Sequence, residues 1–150
     1  MPKILIADDS RVYVHLISGW LQDHGFEALV ASDAIQAFVM ATQHRPDAVI
    51  LDISMPGGSG IDVLKKLKLS TKTKHIPVLV VTGNAGNEMR GLVKRLGAAD
   101  LLEKPLDCAE FCTILSGLTA EADSSPTATT AGQPPPPSWP RSASHPGARK

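Results

Sequence analysis

This 150-residue sequence predicts an α/β domain, a doubly wound five-stranded parallel sheet flanked by five helices. Three observations predict it. Short apolar runs at residues 3–7, 26–31, 48–52, 78–82 and 100–103 read as strands, and segments with apolar residues three and four apart separate them. Each connection has room for one helix, so successive strands must run parallel through crossovers. Finally, Val49-Ile50-Leu51 and Val78-Leu79-Val80-Val81 lack polar alternation, the pattern of strands buried on both faces.

In order, Lys3-Ile4-Leu5-Ile6-Ala7 ends in Asp8 and Asp9, and Asp9 or Ser10 can cap the helix that follows. That helix reaches about His24, with Val12, Tyr13, Leu16, Ile17, Trp20 and Leu21 on its expected apolar face, and Gly25 stops it. After the second strand, residues 33–44 form a helix with Ile35, Phe38 and Val39 expected inward, and Arg45-Pro46-Asp47 turns into the strand ending at Asp52. Ile53-Ser54-Met55-Pro56-Gly57-Gly58-Ser59-Gly60 must be a loop, and Ile61, Val63, Leu64 and Leu67 restore the helical period. A polar stretch, 70–75, leads to Ile76-Pro77 and the fourth strand. A helix over about 87–96, a turn at Gly97-Ala98, the strand 100–103 ending at Lys104-Pro105 and a last helix over about 107–118 complete the domain.

The apolar period stops there, dividing the chain into a domain over 1–119 and a tail over 120–150. The tail is rich in Pro, Ser, Ala and Thr, contains Pro134-Pro135-Pro136-Pro137, and buries too little apolar surface to offset ordering entropy, so disorder is expected. Acidic and basic residues balance at 15 each, so no net field favours nucleic acid or an anionic membrane. Lys65, Lys66, Lys68, Lys72 and Lys74 form the one dense basic patch; without aromatic or glycine-rich companions, it reads as a solvated face. No apolar run spans a bilayer and no leader precedes the first strand, so the expected setting is cytoplasmic. Cys108 and Cys112 lie on one helical face; small buried apolar residues are the plainer reading, a redox pair or half of a metal site the alternative.

The strand ends carry the chemistry. Parallel strands bring Asp8, Asp9, Asp52, Thr82 and Lys104 to one sheet edge, where ligands of open α/β sheets bind. Singly, each has an ordinary explanation as a cap, a turn residue or an exposed lysine, but four strand ends with compatible groups point to a site. Three crowded carboxylates repel one another unless a cation holds them, and their hard oxygens suit magnesium, Mg2+. Lys104 adds positive charge and Thr82 a hydroxyl, groups that can grip a phosphoryl group carried on Asp52.

Over about residues 2–119 the sequence closely resembles the receiver domains of bacterial two-component response regulators, the CheY-like superfamily. The resemblance rests on Ile6-Ala7-Asp8-Asp9-Ser10, Val49-Ile50-Leu51-Asp52, Met55-Pro56 with Gly60, His75-Ile76-Pro77-Val78, Val81-Thr82-Gly83, and Gly97-Ala98 with Asp100 followed by Lys104-Pro105. It implies a flavodoxin-like (βα)5 fold with strand order 2-1-3-4-5, carried over from the family. It also implies that Asp52 is the phosphoacceptor, that Asp8, Asp9, Asp52 and the main-chain carbonyl of Ser54 hold Mg2+, and that Thr82 and Lys104 contact the acyl phosphate. Where the family usually has Tyr or Phe, three residues before the lysine, this sequence has Leu101. The Thr82–Leu101 switch therefore departs from the usual coupling of threonine to an aromatic ring. Ser54 and Asn84 stand at positions that in the family tune how fast the phosphoryl group is lost.

The expected function is a stand-alone receiver in a phosphorelay. It would take its phosphoryl group from a histidine kinase or histidine phosphotransfer protein and signal through a protein bound at the face of the fourth helix, fifth strand and fifth helix. No helix-turn-helix or catalytic motif follows the domain, so neither DNA binding nor an enzymatic activity beyond self-catalysed phosphotransfer and dephosphorylation is expected. Two alternatives stay open: a pseudo-receiver scaffold indifferent to phosphate, and a haloacid-dehalogenase-like phosphatase. The latter needs an Asp-x-Asp pattern, and Asp8-Asp9 and Asp52-Ile53-Ser54 do not supply one.

Overall fold

In the computed structural model, residues 1–54 and 60–123 are described. Residues 55–59 of the expected loop and residues 124–150 of the tail expected over 120–150 lie outside them. The elements alternate throughout: β1 (Lys3–Ala7), α1 (Arg11–Asp23), β2 (Glu27–Ala31), α2 (Ala34–His44), β3 (Ala48–Asp52), α3 (Gly60–Leu69), β4 (Val78–Thr82), α4 (Asn87–Arg95), β5 (Asp100–Glu103) and α5 (Cys108–Asp123). The strands form one parallel sheet in the order β2-β1-β3-β4-β5. β3 is therefore central, with β1 on one side and β4 on the other.

The pleat divides the core in two. Leu5, Val49, Leu51, Val80 and Leu101 face α2, α3 and α4, whereas Ile4, Ile6, Ile50, Leu79, Val81 and Leu102 face α1 and α5. Both sheet faces are covered, which is why these strands read as continuous apolar runs.

Two helix faces differ from expectation. On α1, Ile17 and Leu21 are buried with Tyr13 and Trp20 against them, but Val12 and Leu16 are exposed. A half-buried helix has one apolar stripe of roughly 100°, and Val12 and Leu16 form a second stripe outside it. On α2 the buried residues are Ala34, Ala37 and Ala41; Phe38 packs at the margin, while Ile35 and Val39 face outward. Short alanine side chains let that helix sit close to the sheet, and the larger β-branched residues are left outside.

Local chemistry sets the boundaries. Ser10 caps α1 by accepting from the Tyr13 N–H, and Asp33 caps α2 by accepting from the Gln36 N–H. Between α3 and β4 the fully buried Thr73 donates to the Leu67 carbonyl at 2.7 Å. Lys68 of the basic patch donates to the Lys74 and Ile76 carbonyls, while Lys65, Lys66, Lys72 and Lys74 are exposed. α5 continues to Asp123, past the expected end at 118, because Ala120, Glu121 and Ala122 are strong helix formers. No helix among the described residues is long and apolar enough to cross a membrane.

Candidate functional site

β1 delivers Asp8 and Asp9 to the carboxyl edge of the sheet, β3 delivers Asp52, β4 Thr82, and the residue after β5 is Lys104. Because Ser10 supplies the cap of α1, Asp9 remains exposed at the mouth of the site. Asp8 and Asp52 are buried, at 2% and 4% exposure. Carboxylate oxygens of Asp8, Asp9 and Asp52 all lie within 4.8 Å of one another.

Each buried carboxylate is held in place. The Asp8 Oδ1 accepts from the Ser10 N–H at 2.9 Å, and the Asp52 Oδ1 accepts from the Ser54 N–H at 3.0 Å. Lys104 Nζ sits between the second oxygens, 3.3 Å from Asp8 Oδ2 and 3.6 Å from Asp52 Oδ2. One ammonium thus faces two of the three acids. Burial pushes the Asp52 carboxyl above the usual carboxylate range; Asp8 adds to the effect, and the Ser54 N–H and Lys104 oppose it.

That donor set fits a hard divalent ion. Three convergent carboxylates outnumber the one cation, and the burial of Asp52 makes its charge costly without further compensation.

Thr82 is buried at the end of β4, where its hydroxyl oxygen accepts from the Asn84 N–H at 3.2 Å. The Lys104 N–H donates to the Thr82 carbonyl at 2.8 Å, tying the lysine to β4 as well as to the acids. Leu101 is not at the mouth of the site. It is 1% exposed and belongs to the core facing α4. Ser54 is exposed and enters the described geometry through its N–H to Asp52.

Two residues not singled out as site residues contribute. The Tyr13 ring lies beneath Lys104, with Nζ 4.2 Å from its centroid, a cation–π contact that leaves the ammonium free to face the carboxylates. Its place at the start of the helix after Asp9 is the available signal, and the ring also packs against the core as its apolar spacing predicts. Gly60 starts α3, and its N–H donates to the Ile53 carbonyl at 3.2 Å. A Cβ there would overlap the Ile53 Cα and lie 2.9 Å from the Asp52 carbonyl oxygen. Gly60→Ala should therefore lower stability by about 1–3 kcal/mol through overpacking. It should also slow phosphoryl labelling, because the backbone that must yield is the one holding Asp52. Urea denaturation together with a labelling time course checks both.

The Asp52 shift also has a signed consequence for stability. A pKa above the ordinary 3.8 means that the folded state binds this proton more tightly than the unfolded chain does. The associated stability is present at acid pH and is lost as pH rises from about 3.8 through the raised folded value. Metal-free Asp52→Asn should accordingly gain stability over the parent across that window, with a constant advantage above it. Added Mg2+ should narrow the gap by stabilising the parent, with its full carboxylate set, more than the variant. Thermal melts over pH, with and without Mg2+, provide the measurement.

Comparison with known proteins identifies the family. Residues 4–116 match the family model described as the response regulator receiver domain. The chain is 36% identical over 107 residues to protein PilH of Pseudomonas aeruginosa, covering 71% of this chain and 88% of that protein. It is 30% identical over 125 residues to the polar-differentiation response regulator DivK of Brucella anthropi, covering 81% of this chain and all of DivK. Among solved structures, chemotaxis protein CheY4 of Vibrio cholerae superposes with a TM-score of 0.74 at 30% identity, over 79% of this chain and 98% of that one. The receiver domain of sensor histidine kinase PA1611 from Pseudomonas aeruginosa, solved with a magnesium ion in its active-site cleft, gives 0.74 at 27% identity over the same shares.

Proposed function

The chain belongs to the response regulator receiver domain family, and from that premise we propose that it accepts a phosphoryl group on Asp52 from a histidine kinase or histidine phosphotransfer protein and signals through phosphorylation-dependent protein binding. The observation that carries this reading is the Lys104 ammonium between Asp8 and Asp52, at 3.3 and 3.6 Å, on the edge where β1 and β3 end.

In the proposed transfer, an Asp52 carboxylate oxygen attacks the phosphorus of a phosphorylated imidazole. The new O–P bond forms as the N–P bond breaks, and the imidazole leaves with the electron pair. The Ser54 N–H fixes the plane of the Asp52 carboxylate, so its second oxygen, 3.6 Å from Lys104, is already directed. Lys104, held from below by Tyr13 and from behind by Thr82, neutralises charge on the phosphoryl oxygens. Asp8, Asp9, Asp52 and the Ser54 carbonyl would hold Mg2+, which when bound supplies positive charge against the carboxylates and the phosphoryl oxygens.

The Thr82 hydroxyl, now engaged with the Asn84 backbone, would turn to a phosphoryl oxygen and draw 83–86 with it. That movement supports a readout at the face of α4, β5 and α5, since α4 starts directly after the loop and β5 pairs with β4. The test compares proteins captured from the source cell by the chain before and after treatment with acetyl phosphate and Mg2+. Partners retained only by the phosphorylated form support the proposal; identical capture at full phosphorylation overturns it in favour of the pseudo-receiver scaffold.

A further inference from the structure

Two cysteines stand one helical turn apart, and one of them, Cys112, meets a histidine 88 residues away in sequence at the end of α1. Cys108 opens α5 and Cys112 follows one turn later, with their Sγ atoms 3.9 Å apart. The Cys112 Sγ lies 3.7 Å from Nδ1 of His24, the residue capping the end of α1. Both cysteines are free thiols. Helix geometry opposes a disulfide, since residues four apart hold their Cβ atoms about 5–6 Å apart and a disulfide needs about 3.5–4.5 Å. A bridging ion spans the larger gap. For tetrahedral zinc with bonds of about 2.3 Å to sulfur and 2.0–2.1 Å to imidazole nitrogen, the S···S and S···N edges are about 3.8 and 3.6 Å. The S···S separation here lies close to the first edge, and the His24 ring stands beside Cys112.

We propose that Cys108, Cys112 and His24 form a zinc-binding site, separate from the acidic edge, that ties the end of α1 to the first turns of α5.

The site closes on binding. Among the described residues, only Asp8, Asp9 and Asp52 have three potential ligand atoms mutually within 4.8 Å, so His24 stands against Cys112 and short of Cys108. His24 Nδ1 lies 2.9 Å from the Trp20 carbonyl and therefore carries its proton there, which leaves Nε2 as the donor nitrogen. His24 is exposed at the helix terminus, so swinging Nε2 onto the sulfurs moves no buried group. Asp23, whose charge already acts on Cys112, or a water molecule supplies the fourth position. Soft thiolates select zinc over Mg2+, whereas the carboxylate edge has the opposite preference. Burial pushes the Cys112 thiol up to about 11, so binding must release that thiol proton to solvent, and affinity must climb with pH.

The Trp20 and Phe111 rings, with centroids 5.4 Å apart, lie on the same two helices, so Trp20 emission reports on this interface.

The test is a Co2+ titration of the reduced full-length chain at mildly alkaline pH, with Mg2+ in excess to occupy the acidic edge. Thiolate-to-cobalt charge-transfer absorption, which carboxylates cannot produce, should saturate at one equivalent and disappear when one equivalent of Zn2+ is added. Cys108→Ser and Cys112→Ser should each abolish it; Cys108 is only half-buried, so that variant keeps the test valid if Cys112→Ser fails to fold. His24→Gln should weaken binding by at least about tenfold, the lower bound for losing even a supporting contact of a metal site. In the parent, Zn2+ should change Trp20 emission, read in a Trp139→Phe background. Absence of the band, its survival in either cysteine variant, or unchanged affinity in His24→Gln overturns the site.

Discussion

Asp52→Ala should reduce Mg2+-dependent labelling by a phosphodonor to background while leaving the fold intact. Asp52 ends the central strand, so its carboxylate is flanked by the acids of β1 on one side and the Thr82 strand on the other. Asp8 is poorly placed to substitute: its Oδ1 accepts from the Ser10 N–H and its Oδ2 from the Lys104 ammonium at 3.3 Å, whereas Asp52 Oδ2 stands 3.6 Å from that lysine as an ion pair, and removing Asp52 leaves Lys104 to Asp8 alone. Asp9 is free of such contacts among the described residues, but it is exposed and lacks the lysine within ion-pair distance. The fold survives because the substitution removes a buried, partly repelled charge and no apolar packing. The parent's label should be an acyl phosphate released by hydroxylamine. Label that persists in Asp52→Ala, or resists hydroxylamine in the parent, would place the acceptor elsewhere.

How much of this could be read from residues alone depended on how far each feature reaches along the chain. The strands were legible because both sheet faces are covered, which leaves unbroken runs such as Val78-Leu79-Val80-Val81. The candidate site was legible for a related reason: Asp8, Asp52 and Thr82 are each the first polar residue after such a run, and parallel strands deliver those ends to one edge. The strand order came from family resemblance, since connection lengths alone do not choose it. Helix faces were harder. Alanine carries little weight in an apolar pattern, so the sequence points to Ile35, Phe38 and Val39 as the inward face of α2, whereas Ala34, Ala37 and Ala41 are buried and only Phe38 of the three packs against them. The end of α5 was obscured because Ala120 to Ala122 were read together with the proline-rich composition beyond them. Tyr13 under Lys104, and His24 beside Cys112, are juxtapositions of distant segments that depend on how α1 lies across the sheet. No local spacing encodes them.

The second large effect is expected at Leu101, where Leu101→Ala should cost about 2–5 kcal/mol of stability, the range for emptying a leucine-sized space in a packed core. Leu101 is 1% exposed, opposite Val80 in the β4–β5 register, in a core that includes Val93 and against which Met89 and Leu96 pack. An aromatic residue that swings inward on phosphorylation needs an outward position to leave, and Leu101 already occupies an inward one. The phosphoryl signal should therefore run through Thr82 and 83–86, with Leu101 as the packed support against which that loop and α4 move. Three measurements separate support from switch. Urea denaturation should show the loss in Leu101→Ala, whereas Leu101→Met, which nearly conserves volume, should lose less than about 1.5 kcal/mol. Phosphoryl labelling should be unchanged in both. Amide-exchange protection over 83–101 should shift on phosphorylation of the Met variant as it does in the parent, and should fail to shift in Thr82→Ala. Loss of that shift in Leu101→Met, at preserved stability and labelling, would make the leucine a moving part of the switch. A shift that survives Thr82→Ala would remove the threonine from the path.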